Sequence, residues 1–380
     1  MNAYLVEAKR TPIGRSHKDK GLYKDFRADE LLAGLLSDFV PRILPHEAIG
    51  DVYIGCVGQH LEQGKNIARI ASLLAGFPDT IPGVTINRLC GSSLQALNFA
   101  AMTLECGQEE VILAGGVEHM HHVPIAECVN YNSSLFDNRE FHFTNMGLTA
   151  EKIAGIYDIS RREQDEFALL SHNRAVTAIE SGHFGKEIVP ILTPAGLVST
   201  DQGPRKNSTL EILASMKPAF KENGTVTAAN SSPLSDGASL VLLASKNSCT
   251  TYGLRIRAEV VDFSAVGLDP CIMGMGPVHA IRKLLKKRSL SVSDIDVFEI
   301  NEAFSSQVIA NARELEIPTE KLNPNGGAIA LGHPLGASGT RLIATLLNNL
   351  ETLGGELGIA SMCIGHGQGI ATLIRRLVRV

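Results

Sequence analysis

The sequence predicts a duplicated, layered α/β protein, and three observations carry that expectation. A helix-then-strand unit occurs twice at matching spacing, the strands are apolar without alternation, and a small-residue turn opens a helix in each copy. The first strand is expected at Ala3-Tyr4-Leu5-Val6. An apolar pattern of helical period over residues 28–40 then leads into a strand at Asp51-Val52-Tyr53-Ile54, and residues 277–286 do the same ahead of Asp296-Val297-Phe298-Glu299-Ile300. Cys90-Gly91-Ser92-Ser93 opens the next helix 39 residues after Asp51, and Gly336-Ala337-Ser338-Gly339 opens one 40 residues after Asp296. Each helix runs into a strand of small residues, at 111–116 and 358–363. A run such as Val111-Ile112-Leu113-Ala114 lacks the period-2 pattern of a half-exposed strand, so it predicts burial on both faces with helices on either side. Between the copies, residues 120–232 are more polar and richer in Asn, Ser and Pro. Helices are expected there over 146–157 and 162–181, with an exposed loop at Pro204-Arg205-Lys206-Asn207. This stretch reads as an insertion, after which a strand at 238–244 returns the chain to the first unit.

Composition sets the outer limits. The 380 residues suggest two to three domains, and 44% hydrophobic with 20% charged residues describe an ordinary globular core. Lys and Arg number 35 against 40 for Asp and Glu, so a net charge of -5 gives no footprint for nucleic acid, and a polyanionic ligand must be met by a local pocket. No apolar run reaches the roughly 18 residues of a membrane helix, and neither a signal peptide nor a span is expected. The seven cysteines are odd in number, scattered and free of CxxC, which argues against a disulfide framework or zinc cage and for reduced thiols in a cytoplasmic setting.

Four places carry candidate chemistry. Cys90 lies where a strand signal meets small residues and a helix, and unpaired N–H groups with the positive dipole end at a helix N-terminus stabilise a thiolate. The local sequence fits a buried structural cysteine equally well. The stretch 323–339 reads as a long glycine-rich loop with a single imidazole, His333, suited to taking a thiol proton or donating to an oxyanion; it lacks the Lys-Ser/Thr ending of a phosphate loop. Cys363 ends the last small-residue strand, followed by Gly365, Gly367 and Gly369. Asn301 follows the strand ending at Ile300, where ligands of open α/β sheets gather. His119, His121 and His122 lack Cys or acidic ligands at established spacing and are read as loop histidines shaping a channel, with no metal expected.

Taken together, Arg10-Thr11-Pro12-Ile13-Gly14-Arg15, Asn87-Arg88-Leu89-Cys90-Gly91-Ser92, Asn301-Glu302-Ala303-Phe304, Gly332-His333-Pro334 and Cys363-Ile364-Gly365 resemble the thiolase family over nearly the whole chain. Gly115-Gly116-Val117-Glu118-His119-Met120 and Asn145-Met146-Gly147-Leu148-Thr149-Ala150-Glu151 resemble its 3-ketoacyl-CoA branch in bacterial fatty acid oxidation complexes. The resemblance implies a duplicated five-layer α-β-α-β-α fold with an inserted loop domain. The expected halves are 1–119, completed by 233–251, and 252–380, with the CoA-binding insertion at 120–232. It implies thiolytic cleavage of 3-ketoacyl-CoA in β-oxidation, with coenzyme A as cosubstrate and no tightly bound cofactor.

On the same carry-over, Cys90 is the acylated nucleophile, His333 activates it and donates to an oxyanion, and Cys363 is the general acid and base. Asn301 holds a water in one oxyanion hole, and the N–H groups of Cys90 and Gly365 form the other. Arg205, Ser232 and Met273 are expected to meet CoA, although Arg205 fits a solvated loop charge as well. A homodimer, and a hydratase/dehydrogenase α subunit as partner, are also implied. The alternatives are a biosynthetic acetoacetyl-CoA thiolase and a non-catalytic lipid-binding relative, the latter opposed by retention of Cys90, His333 and Cys363; a cysteine hydrolase would need neither CoA nor a second thiol. One position departs from the family: His366 stands where most members carry a third glycine, and a positive φ there would strain the turn and disturb the Gly365 N–H.

Overall fold

Nine consecutive residues, Val111–His119, form a strand with every residue buried. Such a strand needs apolar cover on both faces, and the fold supplies it in layers. The structure, a computed structural model, describes residues 1–125, 129–137 and 141–377. In chain order the elements of the first half are β1 (Tyr4–Arg10), β2 (Gly14–Arg15), α1 (Ala28–Phe39), β3 (Asp51–Gly55), α2 (Ile67–Leu74), β4 (Gly83–Ile86), α3 (Ser92–Glu105) and β5 (Val111–His119). The middle of the chain holds α4 (Met146–Ile156), α5 (Arg161–Glu180), β6 (Ile191–Thr193), β7 (Gly196–Val198), α6 (Leu210–Ala214), β8 (Ser235–Ala244) and α7 (Lys246–Thr251). Then come β9 (Ala258–Gly267), α8 (Gly276–Arg288), β10 (Val297–Ile300), α9 (Ser305–Leu315), α10 (Ala328–Leu331), α11 (Ser338–Leu353), β11 (Leu357–Ile364) and β12 (Gln368–Arg376).

The strand order β4-β3-β5-β8-β1 in one half mirrors β10-β11-β12-β9 in the other. β3 and β5 are parallel, as are β10 and β11. β8 runs antiparallel between β5 and β1, and β12 antiparallel between β11 and β9. The halves meet where β1 pairs with β9 through Tyr4 and Leu5.

Side chains on alternate faces of the same strands feed different cores. Leu113, Leu240 and Leu242 pack with Leu31, Leu35 and Leu36 of α1 and Ile67 of α2. Ile112, Val241 and Leu243 face the other way, onto α3 and α11, whose Leu94, Leu97, Leu342 and Leu346 also cover Val260, Ala360, Met362 and Ile374 of the second half. The outer face of that half, with Phe298, Ile359 and Leu373, is covered by Val278, Ile281 and Leu284 of α8 and Val308 of α9. The order α1/α2, strands, α3/α11, strands, α8/α9 is the expected five-layer α/β arrangement.

Three features differ from the sequence expectation. The strands β9 and β12 carry weak apolar signals and were not anticipated. The stretch 323–339 is not loop throughout, because Ala328–Leu331 winds into a short helix before His333. Finally, β5 extends to His119, so this histidine sits in a strand and not in a loop. No helix among the described residues is long and apolar enough to cross a membrane.

Candidate active site

The two repeats bring their helix N-termini together. The Thr340 N–H in α11 donates to Ser93 Oγ in α3 at 3.1 Å, and a Cβ on Gly339 would overlap the backbone of Leu94. Cys90 lies just before one helix and His333 just before the other, so the candidate nucleophile and the candidate base flank the same crossing. Two positive dipole ends converge there, an arrangement that favours developing negative charge.

The Cys90 turn is tied locally. Ser92 Oγ donates to the Leu89 carbonyl at 2.6 Å and accepts from the Arg88 N–H at 2.9 Å, while Leu89 adopts a φ of 47°. A Cβ on Gly91 would crowd the Ile364 side chain. Cys90 keeps a partly exposed face, yet its surroundings are apolar enough that burial pushes the thiol up to about 11; the Gly365 N–H, hydrogen-bonded to it, acts in the opposite direction. This corrects the expectation of a thiolate stabilised at the helix N-terminus. Desolvation outweighs the dipole, and the resting group is a thiol that needs a base.

Cys363 belongs to β11 and is buried among Met273, Ala303, Phe304, Ala150 and Val226, with Met146 and Phe220 alongside. Burial, reinforced by the neighbouring Cys90, raises its thiol far above the ordinary range. The two candidate thiols are thus electrostatic neighbours, and Gly365, two residues beyond Cys363, aims its N–H at Cys90.

Asn301 follows β10, and its N–H donates to the Ser361 carbonyl at 2.9 Å, which sets it beside the end of β11. Its Nδ2 lies 3.3 Å from His333 Nε2. On the other side of the ring, His333 Nδ1 lies 2.6 Å from Ser338 Oγ. His333 is buried, its N–H donates to Ser235 Oγ at 3.2 Å, and burial followed by the Arg341 cation lowers the imidazole to about 3. It is a neutral base over the ordinary pH range. In the sequence Ser338 signals only a helix-opening turn, and Arg341 and Ser235 carry no signal.

The three expected CoA residues fall at different depths. Met273 packs with Cys363, and the Ser232 N–H donates at 3.0 Å to the carbonyl of Ala303 in the same cluster. Arg205 is exposed and borders a cavity of about 270 Å³ with Lys206, Ser208, Ile212, Met216 and Ala229. Its N–H donates to His172 Nδ1 at 3.3 Å. Ala229, which lines this cavity, lies three residues before Ser232 in the chain. A larger cavity, about 570 Å³, is lined by Glu7, Lys9, Lys186, Arg255, Arg257 and Glu351 and holds none of the candidate residues.

His366 has a φ of 62°, so the left-handed turn anticipated there is present. Its side chain is half-buried: Nε2 pairs with the Tyr131 hydroxyl at 2.8 Å, and the ring meets Tyr131 and Phe143 edge-on. His119 and His122 stack at 4.0 Å, and Glu62 lies 3.0 Å from His122 Nδ1, an acidic neighbour invisible in sequence spacing. These three residues lie close enough to hold a metal ion. However, His122 Nε2 faces the Lys24 carbonyl, His119 Nε2 faces the Tyr23 carbonyl, and His119 Nδ1 accepts the His122 N–H, so the ring nitrogens already have protein partners. Cys128 lies outside the described residues.

Comparison with known proteins gives a consistent result. Residues 3–247 match the family model described as thiolase, N-terminal domain, and residues 254–376 match thiolase, C-terminal domain. A 3-ketoacyl-CoA thiolase of Aliivibrio salmonicida is 48% identical over 99% of both chains. The dimeric peroxisomal thiolase of Saccharomyces cerevisiae superposes with a TM-score of 0.92 at 40% identity, covering 99% of this chain and 97% of that one. The Bacillus anthracis acetyl-CoA acetyltransferase does so with a TM-score of 0.90 at 40% identity, covering 99% of each.

Proposed function

This chain belongs to the thiolase family, and on that premise we propose that it cleaves 3-ketoacyl-CoA with CoA, releasing acetyl-CoA and an acyl-CoA shortened by two carbons, as a step of β-oxidation. The observation that carries the proposal is the pair of neighbouring thiols with the Gly365 N–H directed at Cys90.

In this reading His333 Nε2 takes the Cys90 proton as Sγ attacks the 3-keto carbon, and the N–H groups of Cys90 and Gly365 hold the resulting oxyanion. The C2–C3 bond breaks, the enolate of acetyl-CoA receives its proton from Cys363, and the acyl group remains on Cys90. His333, now protonated, and a water held by Asn301 stabilise the thioester oxygen while the enolate exists. Cys363 then removes the proton of the incoming CoA thiol, whose sulfur attacks the acyl-cysteine, and the departing Cys90 thiolate recovers its proton from His333. Removing one oxyanion donor costs about a hundred- to thousandfold in turnover.

Coenzyme A is the cosubstrate. Arg205 meets its phosphorylated end, and Ser232 and Met273 border the pantetheine. The same transition state serves condensation of two acetyl-CoA molecules, and the likeness to an acetyl-CoA acetyltransferase supports that second reading.

The domain boundaries proposed are 1–119 with 233–251, 120–232, and 252–380. A homodimer would form along β4, an outer strand whose partly exposed Val84 and Ile86 adjoin Tyr53 and Phe99. Association with a hydratase/dehydrogenase α subunit and a cytoplasmic location are part of the same proposal, supported by the resemblance of residues 115–120 and 145–151 to the branch found in bacterial fatty acid oxidation complexes.

The test is cleavage of acetoacetyl-CoA and of longer 3-ketoacyl-CoA with and without CoA, in the parent and Cys90→Ala. CoA-dependent release of acetyl-CoA, lost in the variant, supports thiolysis, and the length profile separates the two readings. Cleavage that proceeds without CoA sinks both.

A further inference from the structure

We propose that Arg341 is the positioning residue that fixes the Asn301 amide and, through it, the site of the proton on the His333 ring, an assignment that rests on the acyl-transfer reading of this site. Arg341 is buried in α11, one turn beyond Ser338. Its Nη2 lies 3.5 Å from Asn301 Oδ1. Its Nε and Nη1 have no hydrogen-bond partner among the described residues, and Glu299 Oε2, the nearest carboxylate oxygen at 3.9 Å from Nη1, is equally without one.

A purely structural buried arginine looks different. Arg10 sits in the same interior and is saturated: Nε donates to Glu187 at 2.6 Å, Nη1 and Nη2 donate to the two oxygens of Asp201 at 2.7 and 2.9 Å, and Nη1 also reaches the Thr11 carbonyl. Among the described residues, Arg341 makes its one side-chain hydrogen bond to the amide beside the candidate base.

The consequence follows from donor counting. An amide can face a buried cation only with its oxygen, so Oδ1 turns to Arg341 and Nδ2 must turn to His333 Nε2. Nδ2 carries only protons, so Nε2 must offer a lone pair. At the other end, Ser338 Oγ gives its single proton to the Pro334 carbonyl at 2.7 Å and can only accept from His333 Nδ1. Both contacts select the same tautomer, Nδ1–H with Nε2 bare, the form that accepts a thiol proton.

Once protonated, His333 faces a donor amide and a guanidinium with no carboxylate in contact among the described residues, which makes it a strong acid ready to return the proton. The other charges acting on Arg341 are Glu299, Glu187 and Glu302, opposed by Arg10.

The test is ¹⁵N-histidine NMR of the full-length protein, with His333 identified by difference against His333→Gln, combined with pH profiles of turnover. The parent is expected to hold the Nδ1–H tautomer at neutral pH. Arg341→Met is expected to populate Nε2–H, to lower kcat about a hundredfold with little change in KM, and to move the acid limb of kcat upward in pH. Arg341→Lys, which keeps the charge, should return that limb toward the parent.

An Nε2–H tautomer in the parent, or the parent tautomer in a folded Met variant, overturns the proposal, as does a folded Lys variant whose acid limb matches that of Met. Should the Met variant not fold, Arg341→Gln, which also removes the charge, takes its place in the same two readouts. The spectra need no substrate, so a chain that fails to perform thiolysis would still report the tautomer, and the two proposals fail separately.

Discussion

His333 and Ser338 are joined through ring Nδ1 and Oγ at 2.6 Å, across the turn that opens α11. Ser338→Ala removes the acceptor that holds the Nδ1 proton. The expected result is a kcat loss of about tenfold, a fraction of what proton transfer contributes, with a stability loss of about 1 kcal/mol. Steady-state kinetics and a urea midpoint check both; unchanged kcat with lowered stability would leave Ser338 a purely structural link.

The high proton affinity of Cys90 predicts slow alkylation of the free protein. Burial places the thiol at about 11, so the thiolate fraction, and with it the rate with iodoacetamide, should climb about tenfold per pH unit from pH 7 to 10. A rate that levels off near pH 8 would mean that the helix N-terminus, and not desolvation, governs the sulfur.

Much of this was legible in the chain. The duplication was visible because each repeat places a small-residue turn before a long helix at nearly constant spacing; Cys90 and His333 precede those helices, while Asn301 and Cys363 lie at the ends of the strands β10 and β11. The sequence concealed what arises between distant segments. Nothing near Arg341 marks it as a neighbour of Asn301, 40 residues away, and Glu62 joins His122 only through folding. The thiolate that the helix end alone would favour at Cys90 gives way to a thiol for the same reason. Local sequence reveals the helix end, whereas the apolar wall around the sulfur comes from elements remote in sequence, including Ile364 and Ile370.

The pairing of His366 with Tyr131 gives a testable coupling. His366→Gly relieves a side chain held at positive φ but loses the contact at 2.8 Å, and Tyr131→Phe loses the same contact alone. A double-mutant cycle on stability should yield a coupling of about 1 kcal/mol. Additive effects would show that the two side chains do not hold each other, and the turn carrying Gly365 would then be independent of the segment at 129–137.

Gly116 of β5 packs against the His333 loop. A Cβ there would overlap the carbonyl oxygen of Gly336, three residues beyond His333, and would crowd Ser93 Cβ. Gly116→Ala is expected to cost about 1–3 kcal/mol and to lower kcat together with stability, since the loop and the α3 terminus must separate. Thermal melting alongside turnover tests this; a stable, fully active variant would mean that the loop tolerates displacement.

His172 supplies the pH dependence of stability near the Arg205 cavity. Burial, then the cations of Arg205 and Arg15, lower its imidazole to about 4. The unfolded chain binds this proton near pH 6.5 and the folded protein does not. The contribution to unfolding free energy is therefore intact above about pH 6.5 and falls as the pH drops from there toward 4. At pH 5 the loss from this residue is about 2 kcal/mol. His172→Gln keeps an acceptor for the Arg205 N–H but cannot titrate, so its stability should fall less steeply than the parent's between pH 7.5 and 5. Equal slopes in denaturant titrations at the two pH values would show that His172 already carries its proton in the folded state, which the two neighbouring guanidinium groups oppose.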